Sequence, residues 1–340
     1  MRAVIVRKES IILIILMGLA YTESTRCPKN GVAYNRCGDR CLCTHGRLTQ
    51  CARIRRDFIS MNWGERLRFV RTFLAATKQE PYKSEYERLV ATHTRNFKTG
   101  IHKQEQFLPW HRWYLLQMEN LFRKIDCRVT VPYWDWSLFS GTPWRSTLND
   151  LFSSAPWGFG GNGHGGEYCV TSGPFNRYQW QTTASNHRQC LKRRFNGNPP
   201  DIVAVAEIMK YNDRQFNDFE IAVRDTLHDN MHCRIGGRGG TMCSLSSANA
   251  PEFLLHHGFT DKLWSDWQKK GWNYKNAYFK RVFSRMTDTG LRPDAVLDLN
   301  HQPGGVRVIY QDPTHSKYQE VHRYLQQLTL QELKDIPRHR

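Results

Sequence analysis

Apolar residues recur three and four positions apart in five stretches of the chain, which is the spacing of one helix face. In the first stretch Trp63, Leu67 and Val70 share a face, and Ser60 is placed to cap the helix by accepting from its first backbone amides. Pro109 suits the first turn of the third stretch. The predicted helices are residues 60–71, 82–93, 109–125, 218–231 and 252–269. This pattern predicts a mainly helical protein.

Between and after the helical stretches, the composition indicates loops and turns. Residues 142–200 are rich in Gly, Pro, Asn and Ser, and we expect them to cover the helices as long irregular loops. Beyond Gly271 the periodicity fades, and turn signals appear at Pro293 and Pro313. We therefore divide the chain into residues 1–24, 25–52, 53–272 and 273–340, of which the third segment is the helical body.

The first segment has the layout of a secretory signal peptide. Arg2, Arg7 and Lys8 precede an apolar run at residues 11–20, and small and polar residues follow. The run is shorter than the roughly 20 apolar residues of a membrane span, so no membrane anchor is expected. We predict that residues 1–24 are removed and that the protein is secreted and extracellular.

The chain has ten cysteines, and an even number in a secreted protein favours disulfides. An odd number of them lies between residues 27 and 51 and predicts a small disulfide-rich N-terminal module with at least one bridge to the body. A zinc site in this module is the alternative, which the odd number and the oxidising compartment disfavour. Cys233 and Cys243 flank the sequence IGGRGG and are placed to close that loop. The sequence alone does not assign the other pairs.

The formal net charge of +18 attracts anionic partners, more strongly at low ionic strength. Nucleic acid is not an expected partner, because the chain has no recognition motif for it and is predicted to be secreted. Acidic extracellular matrix proteins or polysaccharides fit this charge better. The alternative is that the charge serves solubility alone.

Histidines in and between the predicted helices are spaced to bind metal ions. His228 and His232 lie four residues apart, so both rings project from one helix face and can bind a single ion. His93, His102 and His111 follow one another at intervals of nine residues, and the polar connection between them can turn back and bring them together. Imidazoles with no interleaved cysteine suit copper better than structural zinc.

The last predicted helix carries two adjacent histidines, His256 and His257. Only one can point at a metal, because neighbouring helical residues diverge by about 100°. Phe253 lies four residues before His257 and Asp261 four residues after it, so the periodicity favours His257. Three carboxylates are predicted to hold histidine tautomers through the second ring nitrogen, the alternative being ordinary ion pairing; they are Glu119, Asp135 and Asp261.

The two histidine regions resemble those of the type 3 copper family of tyrosinases, catechol oxidases and molluscan haemocyanins. IHKQEQFLPWHRWYLLQMENLFR with VPYWDW is similar to the family's first copper region, and LHDNMHCRIGG with SSANAPEFLLHHGFTDKLWSDWQ is similar to its second. The resemblance covers residues 58–270. It implies an antiparallel four-helix bundle that holds a dinuclear copper site, with dioxygen as co-substrate. The implied ligands are His93, His102 and His111 for one copper ion, and His228, His232 and His257 for the other.

The resemblance also implies roles for residues beside the copper ligands. Glu220 resembles the family's water-holding glutamate. In the family's tyrosinases an asparagine follows the first ligand of the second site and helps that glutamate to activate water, which deprotonates phenols. Asp229 stands at that position here and disfavours monophenol hydroxylation. Gly100 stands where some members have a cysteine linked to the second histidine, so no thioether is expected, and Ala250 replaces the aspartate of many members.

These features predict a secreted tyrosinase or catechol oxidase like those of invertebrates. Its substrates would be small phenols or protein-bound tyrosyl and DOPA groups, and its quinone products would crosslink an extracellular matrix or form melanin, as in biomineralization. One alternative is a haemocyanin-like dioxygen carrier, disfavoured because the 70 residues from Gly271 are too few for a full covering domain. The other is an inert structural matrix protein. Tyr310 is a candidate plug over the copper site.

Overall fold

The computed structural model describes residues 27, 31–183, 189–278, 284–314 and 316–337, so the predicted signal peptide lies outside the described residues. The helices are α1 (Trp63–Lys78), α2 (Tyr82–Asn96), α3 (Gln104–Ile125), α4 (Ile202–Ile208), α5 (Phe216–Ile221), α6 (Asn230–Gly236), α7 (Glu252–Gln268), α8 (Trp272–Asn276), α9 (Ser316–Gln327) and α10 (Leu330–Asp335). A π-helical segment, Ala222–Asp229, joins α5 to α6. The strands are β1 (Val32–Tyr34), β2 (Arg40–Thr44), β3 (Arg47–Arg55), β4 (Gly163–His164), β5 (Cys169–Val170) and β6 (Val308–Tyr310).

The first helix is capped by Asn62 and not, as predicted, by Ser60. The Asn62 side chain accepts from the backbone N–H of Glu65, and the Glu65 carboxylate accepts from the N–H of Asn62. This reciprocal pair satisfies two amide groups that the start of the helix would leave without partners. The Ser60 hydroxyl instead donates to Asp57 within a 3-10 turn at Phe58–Ser60. The predicted cap was wrong because Asp57 already binds the Ser60 hydroxyl.

The third helix begins at Gln104, earlier than predicted, and contains Pro109 in its interior. A proline fixes φ near −65°, which a helix accepts, but it lacks an N–H and removes one backbone hydrogen bond. Phe107 and Trp110 on either side of it are fully buried, and this apolar contact offsets the lost hydrogen bond. The prediction that Pro109 opens the helix was therefore wrong.

Four helical units form the core: α2, α3, the run from α5 through α6, and α7. Helix α3 contacts the other three. Helix α7 is buried on nearly all sides, with Phe253, Leu255 and Trp264 fully enclosed. Helices bury their apolar stripes against one another in this way, and side chains on facing helices can then meet in the interior. The predicted mainly helical bundle, wrapped by irregular loops, is confirmed.

The N-terminal and C-terminal parts of the chain share one sheet. Strands β1, β2 and β3 are antiparallel neighbours, and β6 joins β3 in parallel with Ile54 opposite Ile309. Strand β3 runs through the predicted boundary between residues 52 and 53, and β6 lies in the predicted extension at 273–340. The backbone therefore does not separate into independent units at either boundary, because main-chain hydrogen bonds cross both.

All ten cysteines are in disulfides. The pairs are Cys27–Cys43, Cys37–Cys127, Cys41–Cys51, Cys169–Cys190 and Cys233–Cys243. The bridge between Cys37 and Cys127 joins the N-terminal module to the segment that follows α3, and the last bridge closes the predicted loop. Both predictions are confirmed, and no thiolate is left for zinc. In the part of the chain that the structure describes, no helix combines the length and apolarity that crossing a membrane requires.

Candidate metal centre

The first histidine triad forms where α2 leads into α3. His93 lies in the last turn of α2, His102 in the connecting turn and His111 in α3. Ring centroids of His93 and His102 are 5.2 Å apart, and those of His102 and His111 are 5.0 Å apart. Each residue offers a ring nitrogen within 4.8 Å of the others. The structure thus brings together three histidines that the sequence spaces nine residues apart.

The second triad forms between the π-helical segment, α6 and α7. The Nε2 atom of His228 lies 3.0 Å from Nε2 of His232 and 3.3 Å from Nε2 of His257, and the last two atoms are 3.2 Å apart. Three nitrogens bound about 2.0 Å from one ion in a tetrahedral arrangement would lie about 3.3 Å apart. The spacing of these three atoms therefore fits a shared metal ion.

His256 competes with His257 for this second site. The ring nitrogens of His228, His232 and His256 also lie within 4.8 Å of one another. His257, however, stacks on His111 with ring centroids 4.4 Å apart and so faces the first triad, whereas His256 lies on the side of Trp136. We favour His257 as the ligand. Two metal ions can share one substrate only if both lie between the two triads, and His257 faces that side. This assignment stays a prediction.

The second nitrogen of four rings is held by a neighbouring acceptor. Nδ1 of His102, His111 and His232 contacts a backbone carbonyl oxygen, at 3.1, 2.8 and 2.8 Å respectively. Nδ1 of His228 lies 2.8 Å from Oδ1 of Asp229. The carbonyls belong to Phe97, Phe107 and Met242. A ring that donates through Nδ1 presents the lone pair of Nε2 to a metal.

The donor set fits two copper ions. Burial lowers the pKa of His102 and His232 to about 4, and it lowers the pKa of the other four candidate ligands well below the ordinary value, so all six rings are neutral near pH 7. The Nε2 atoms of His93 and His111 are buried without a hydrogen-bond partner among the described residues. Neutral imidazoles with free lone pairs are ligands that copper accepts.

The three carboxylates predicted to hold histidine rings bind elsewhere. Glu119 and Asp261 both form ion pairs with the buried guanidinium of Arg55, and Asp135 accepts from the hydroxyl of Ser137. A buried guanidinium needs carboxylates as partners, whereas the neutral imidazoles are satisfied by backbone carbonyls. The predicted role of Glu119, Asp135 and Asp261 was therefore wrong.

Tyr310, the candidate plug, belongs to the same buried charge cluster. Its hydroxyl donates to Oδ2 of Asp261 at 2.6 Å and accepts from Arg55 at 3.0 Å. It lies on β6, and its ring packs against Tyr133 with centroids 5.8 Å apart. Tyr310 therefore does not cover the histidines, because the pairing of β6 with β3 places it in the interior.

Glu220 and Asp229, the predicted catalytic residues, lie on the helical run that carries His228. Glu220 is fully buried: Oε1 accepts from Nε of Arg224 at 2.9 Å, while Oε2 has no hydrogen-bond partner among the described residues. Burial raises the pKa of Glu220 to about 7. The Asp229 side chain is 57% exposed and holds the ring of His228. Their catalytic roles stay predictions.

A cavity of about 480 Å³ adjoins the histidines and opens to solvent. His102, His228, His232 and Asp229 form its polar wall. The apolar wall includes residues that sequence reasoning missed: Phe97, Met242 and Leu245. The disulfide between Cys233 and Cys243 holds the loop that carries Met242 and Leu245 beside the histidines. The flanking cysteines were the only sequence signal for it, since nothing marks an apolar loop residue as part of a site.

Comparison with known proteins places the central part of the chain in a family. Residues 83–270 match the family model described as the common central domain of tyrosinase. A tyrosinase of Streptomyces lincolnensis is 30% identical over 236 residues, which cover 64% of this chain and 83% of that protein. Hemocyanin 2 of Megathura crenulata is 29% identical over 214 residues, which cover 59% of this chain and 6% of that protein.

Solved structures share the fold. A polyphenol oxidase of Thermothelomyces thermophila has a TM-score of 0.60 at 20% identity, covering 77% of this chain and 89% of that chain. A functional unit of octopus hemocyanin has a TM-score of 0.55 at 19% identity, covering 81% of this chain and 72% of that chain. At these identities the likeness shows the fold alone. The family model, however, spans more than half of the 340 residues and contains the six candidate histidines. The chain therefore belongs to the tyrosinase family of type 3 copper proteins.

Proposed function

We propose that the chain is a secreted phenol oxidase that uses two copper ions and dioxygen to oxidise o-diphenols to o-quinones. The observation that carries this proposal is the open cavity beside His102, His228 and His232. The residues that line it lie between positions 97 and 245, so the described C-terminal segment contributes none of them. The cavity has room for a phenol ring, which an oxidase needs and a carrier does not.

The proposed reaction removes two electrons and two protons from each catechol, and two catechols reduce one dioxygen to two molecules of water. Copper bound by the six histidines would supply the redox chemistry, because each ion changes by one electron and a pair exchanges two. The chain's own part is to fix the imidazoles in one tautomer and to leave space for the substrate. The carbonyl contacts of the Nδ1 atoms support the first of these, and the cavity supports the second.

Glu220 is the proposed base that takes the proton of the phenol hydroxyl through a water molecule. A carboxylate with a pKa of about 7 can both accept and release a proton near neutral pH. Arg224 fixes its orientation through Oε1 and leaves Oε2 free. The aromatic ring of the substrate would contact Phe97, whose ring centroid is 4.3 Å from that of His102, and the apolar side chains of Met242 and Leu245.

The physiological setting is proposed from the charge and the disulfides. Five bridges suit an oxidising extracellular compartment. A net charge of +18 suits attachment to acidic matrix proteins or polysaccharides, on which quinones would crosslink or pigment the surroundings. Binding to a sulfated polysaccharide should weaken steeply as salt is raised, and salt-independent binding would contradict an electrostatic attachment.

A dioxygen carrier is the second candidate, and the similarity to hemocyanin 2 of Megathura crenulata favours it. A carrier binds dioxygen reversibly and does not turn over catechol, so steady turnover separates the two functions. An inert matrix protein would fail both tests and would bind fewer than two copper ions per chain.

The deciding experiment is dioxygen uptake by the copper-loaded protein with a catechol, beside the variants His257→Ala and His256→Ala. We expect turnover by the unaltered protein. The first variant should lose turnover and about one of its two copper ions, because it lacks a ligand; the second should keep both ions. Mass spectrometry of metal content gives the second readout. Copper binding without turnover would refute the oxidase, and loss of copper in His256→Ala alone would move the ligand to His256.

A further inference from the structure

A second cavity, of about 450 Å³, lies between α4, α7 and α9. None of the six candidate copper ligands lines it. Its volume falls in the range of small-molecule sites, which runs from roughly 300 to 1,000 Å³. A ligand of this cavity would therefore be a molecule other than the phenol substrate.

Most of the apolar wall of this cavity is aliphatic, and Phe259 of α7 adds one aromatic ring. Ile202, Val205 and Met209 line it from α4 and its end, Leu263 from α7 and Leu325 from α9. Unbranched and branched aliphatic side chains on three helices adapt to a flexible hydrocarbon more readily than to a flat ring. The walls therefore favour an alkyl body.

One part of the cavity wall is a polar cluster around the buried Lys262. Lys262 is only 2% exposed and donates to Asp266 and, at 2.7 Å, to Asp312. Tyr318 lines the same part of the wall and is 6% exposed.

Three further lysines line the cavity, Lys210, Lys269 and Lys270. The amino group of Lys210 donates to the carbonyl of Gln326 at the end of α9, and Lys270 donates to the carbonyl of Met209. Neutral carbonyls leave both ammonium charges unbalanced. Lys269 shares Asp266 with Lys262.

The charges around the cavity sum to an excess of positive charge. Four lysines, including Lys262, face the carboxylates of Asp266 and Asp312. Asp135 also lines the cavity, but burial raises its pKa to about 7, so it does not supply a full negative charge near neutral pH. Burial and the neighbouring Lys210 lower the pKa of Lys270 to about 8, as expected where an anion is missing. An anionic group at the lysines would balance this excess.

We propose that this cavity binds an amphipathic anion whose hydrocarbon chain lies against the aliphatic side chains of α4, α7 and α9 and whose carboxylate head contacts Lys210 and Lys270. The cavity volume of about 450 Å³ accommodates a medium-chain alkyl carboxylate. The site is separate from the copper centre, and its occupation does not depend on the proposed oxidase activity.

The test is calorimetric titration of the copper-loaded full chain with decanoate below its micelle concentration, beside decanol and decylamine. We expect one decanoate per chain, and at least tenfold weaker binding of the neutral and cationic analogues. Absence of saturable decanoate binding, or equal binding of decylamine, would overturn the proposal.

Three variants locate the site. Lys210→Ala with Lys270→Ala should weaken decanoate binding at least tenfold, and Ala206→Trp, which fills the cavity from α4, should abolish it. His257→Ala should leave it unchanged, since decanoate at the copper centre would depend on that histidine. Copper content and catechol turnover show that the lysine and tryptophan variants are folded. Binding that survives in both of them, or that disappears in His257→Ala, would place decanoate elsewhere and refute the site.

Discussion

The orientation of each histidine ring is set by the group that its Nδ1 atom contacts. For His102, His111 and His232 that group is a backbone carbonyl, and for His228 it is the carboxylate of Asp229. Each contact leaves the lone pair of Nε2 available to a metal ion. Only Asp229 among these partners is a side chain, so it is the one that a substitution can change directly.

Replacing Asp229 with asparagine should raise monophenol oxidation relative to catechol oxidation by at least about tenfold, a conservative figure for a gain in proton transfer. The asparagine Oδ1 can still accept from Nδ1 of His228, while its amide can donate to the water that Glu220 is proposed to hold. Asp225→Asn is the matched control, because it alters a second carboxylate near Arg224. Dioxygen uptake with both substrate types gives the ratio, and an unchanged ratio with two bound copper ions would contradict the prediction.

Asp135 should make stability depend on pH. Burial raises its pKa to about 7, so between roughly pH 4 and pH 7 the folded chain keeps a proton that the unfolded chain releases. Its contribution to folding is therefore full below pH 4 and is lost as the pH rises to 7. Relative to Asp135→Asn, the unaltered protein should lose on the order of 1.4 kcal/mol of unfolding free energy per pH unit in this window.

Denaturant unfolding at a series of pH values, with disulfides intact, measures this difference. Asp294→Asn serves as the control because Asp294 is exposed. A constant difference between the unaltered protein and Asp135→Asn from pH 4 to pH 7 would show that the carboxyl is ionised in the folded state.

At the scale of elements, a buried charge cluster connects strands to helices. Arg55 of β3 binds Glu119 of α3 and Asp261 of α7, and Arg112 of α3 binds Asp261 at 2.6 Å. Tyr310 of β6 completes the cluster. Breaking one partner of such a cluster is costly, because it leaves a buried charge without compensation. The sheet and the two helices beside the copper site are therefore fixed relative to one another.

Tyr310→Phe should lower the unfolding free energy by about 1–3 kcal/mol, the usual cost of a lost buried hydrogen bond. It should leave copper content and catechol turnover unchanged, because Tyr310 does not cover the site. Tyr178→Phe is the control, since Tyr178 is 81% exposed. Denaturant unfolding and dioxygen uptake are the measurements.

Truncation after Trp272 tests the same element more severely. It removes β6 and the carbonyls of Val296 and Leu297, which accept from Arg112. We expect a less stable protein and no gain in turnover. A truncated protein of unchanged stability and higher catechol turnover would restore the plug hypothesis.

At the scale of the whole molecule, the bridge between Cys37 and Cys127 joins residues 90 positions apart. Closing so long a loop restricts the unfolded chain strongly, and replacing both cysteines with serine should lower the unfolding free energy by about 4.6 kcal/mol. The Cys41–Cys51 bridge, with a separation of 10, should contribute about 2.7 kcal/mol by the same relation. Equal losses from the two double variants in denaturant unfolding would contradict this ordering.

The sequence by itself determined the helices of the bundle, the loops around them and the histidine pattern. Periodicity suffices for these features because a helix that buries one face must repeat apolar residues along it, and His228 and His232 belong to that local repeat. The resemblance to the tyrosinase family grouped the six histidines into two triads. The pairing of Cys233 with Cys243 was also within reach, because the two flank a short glycine-rich loop.

Only the tertiary structure decided which groups surround those histidines. Glu119 and Asp261 were expected to orient the rings, but Arg55, far away in sequence, binds both carboxylates. Tyr310 was a candidate plug over the site and instead lies in the core because β6 pairs with β3. Local periodicity determines which face of an element is buried, whereas the partner that meets that face depends on how distant elements pack, and a sequence pattern carries no record of that packing.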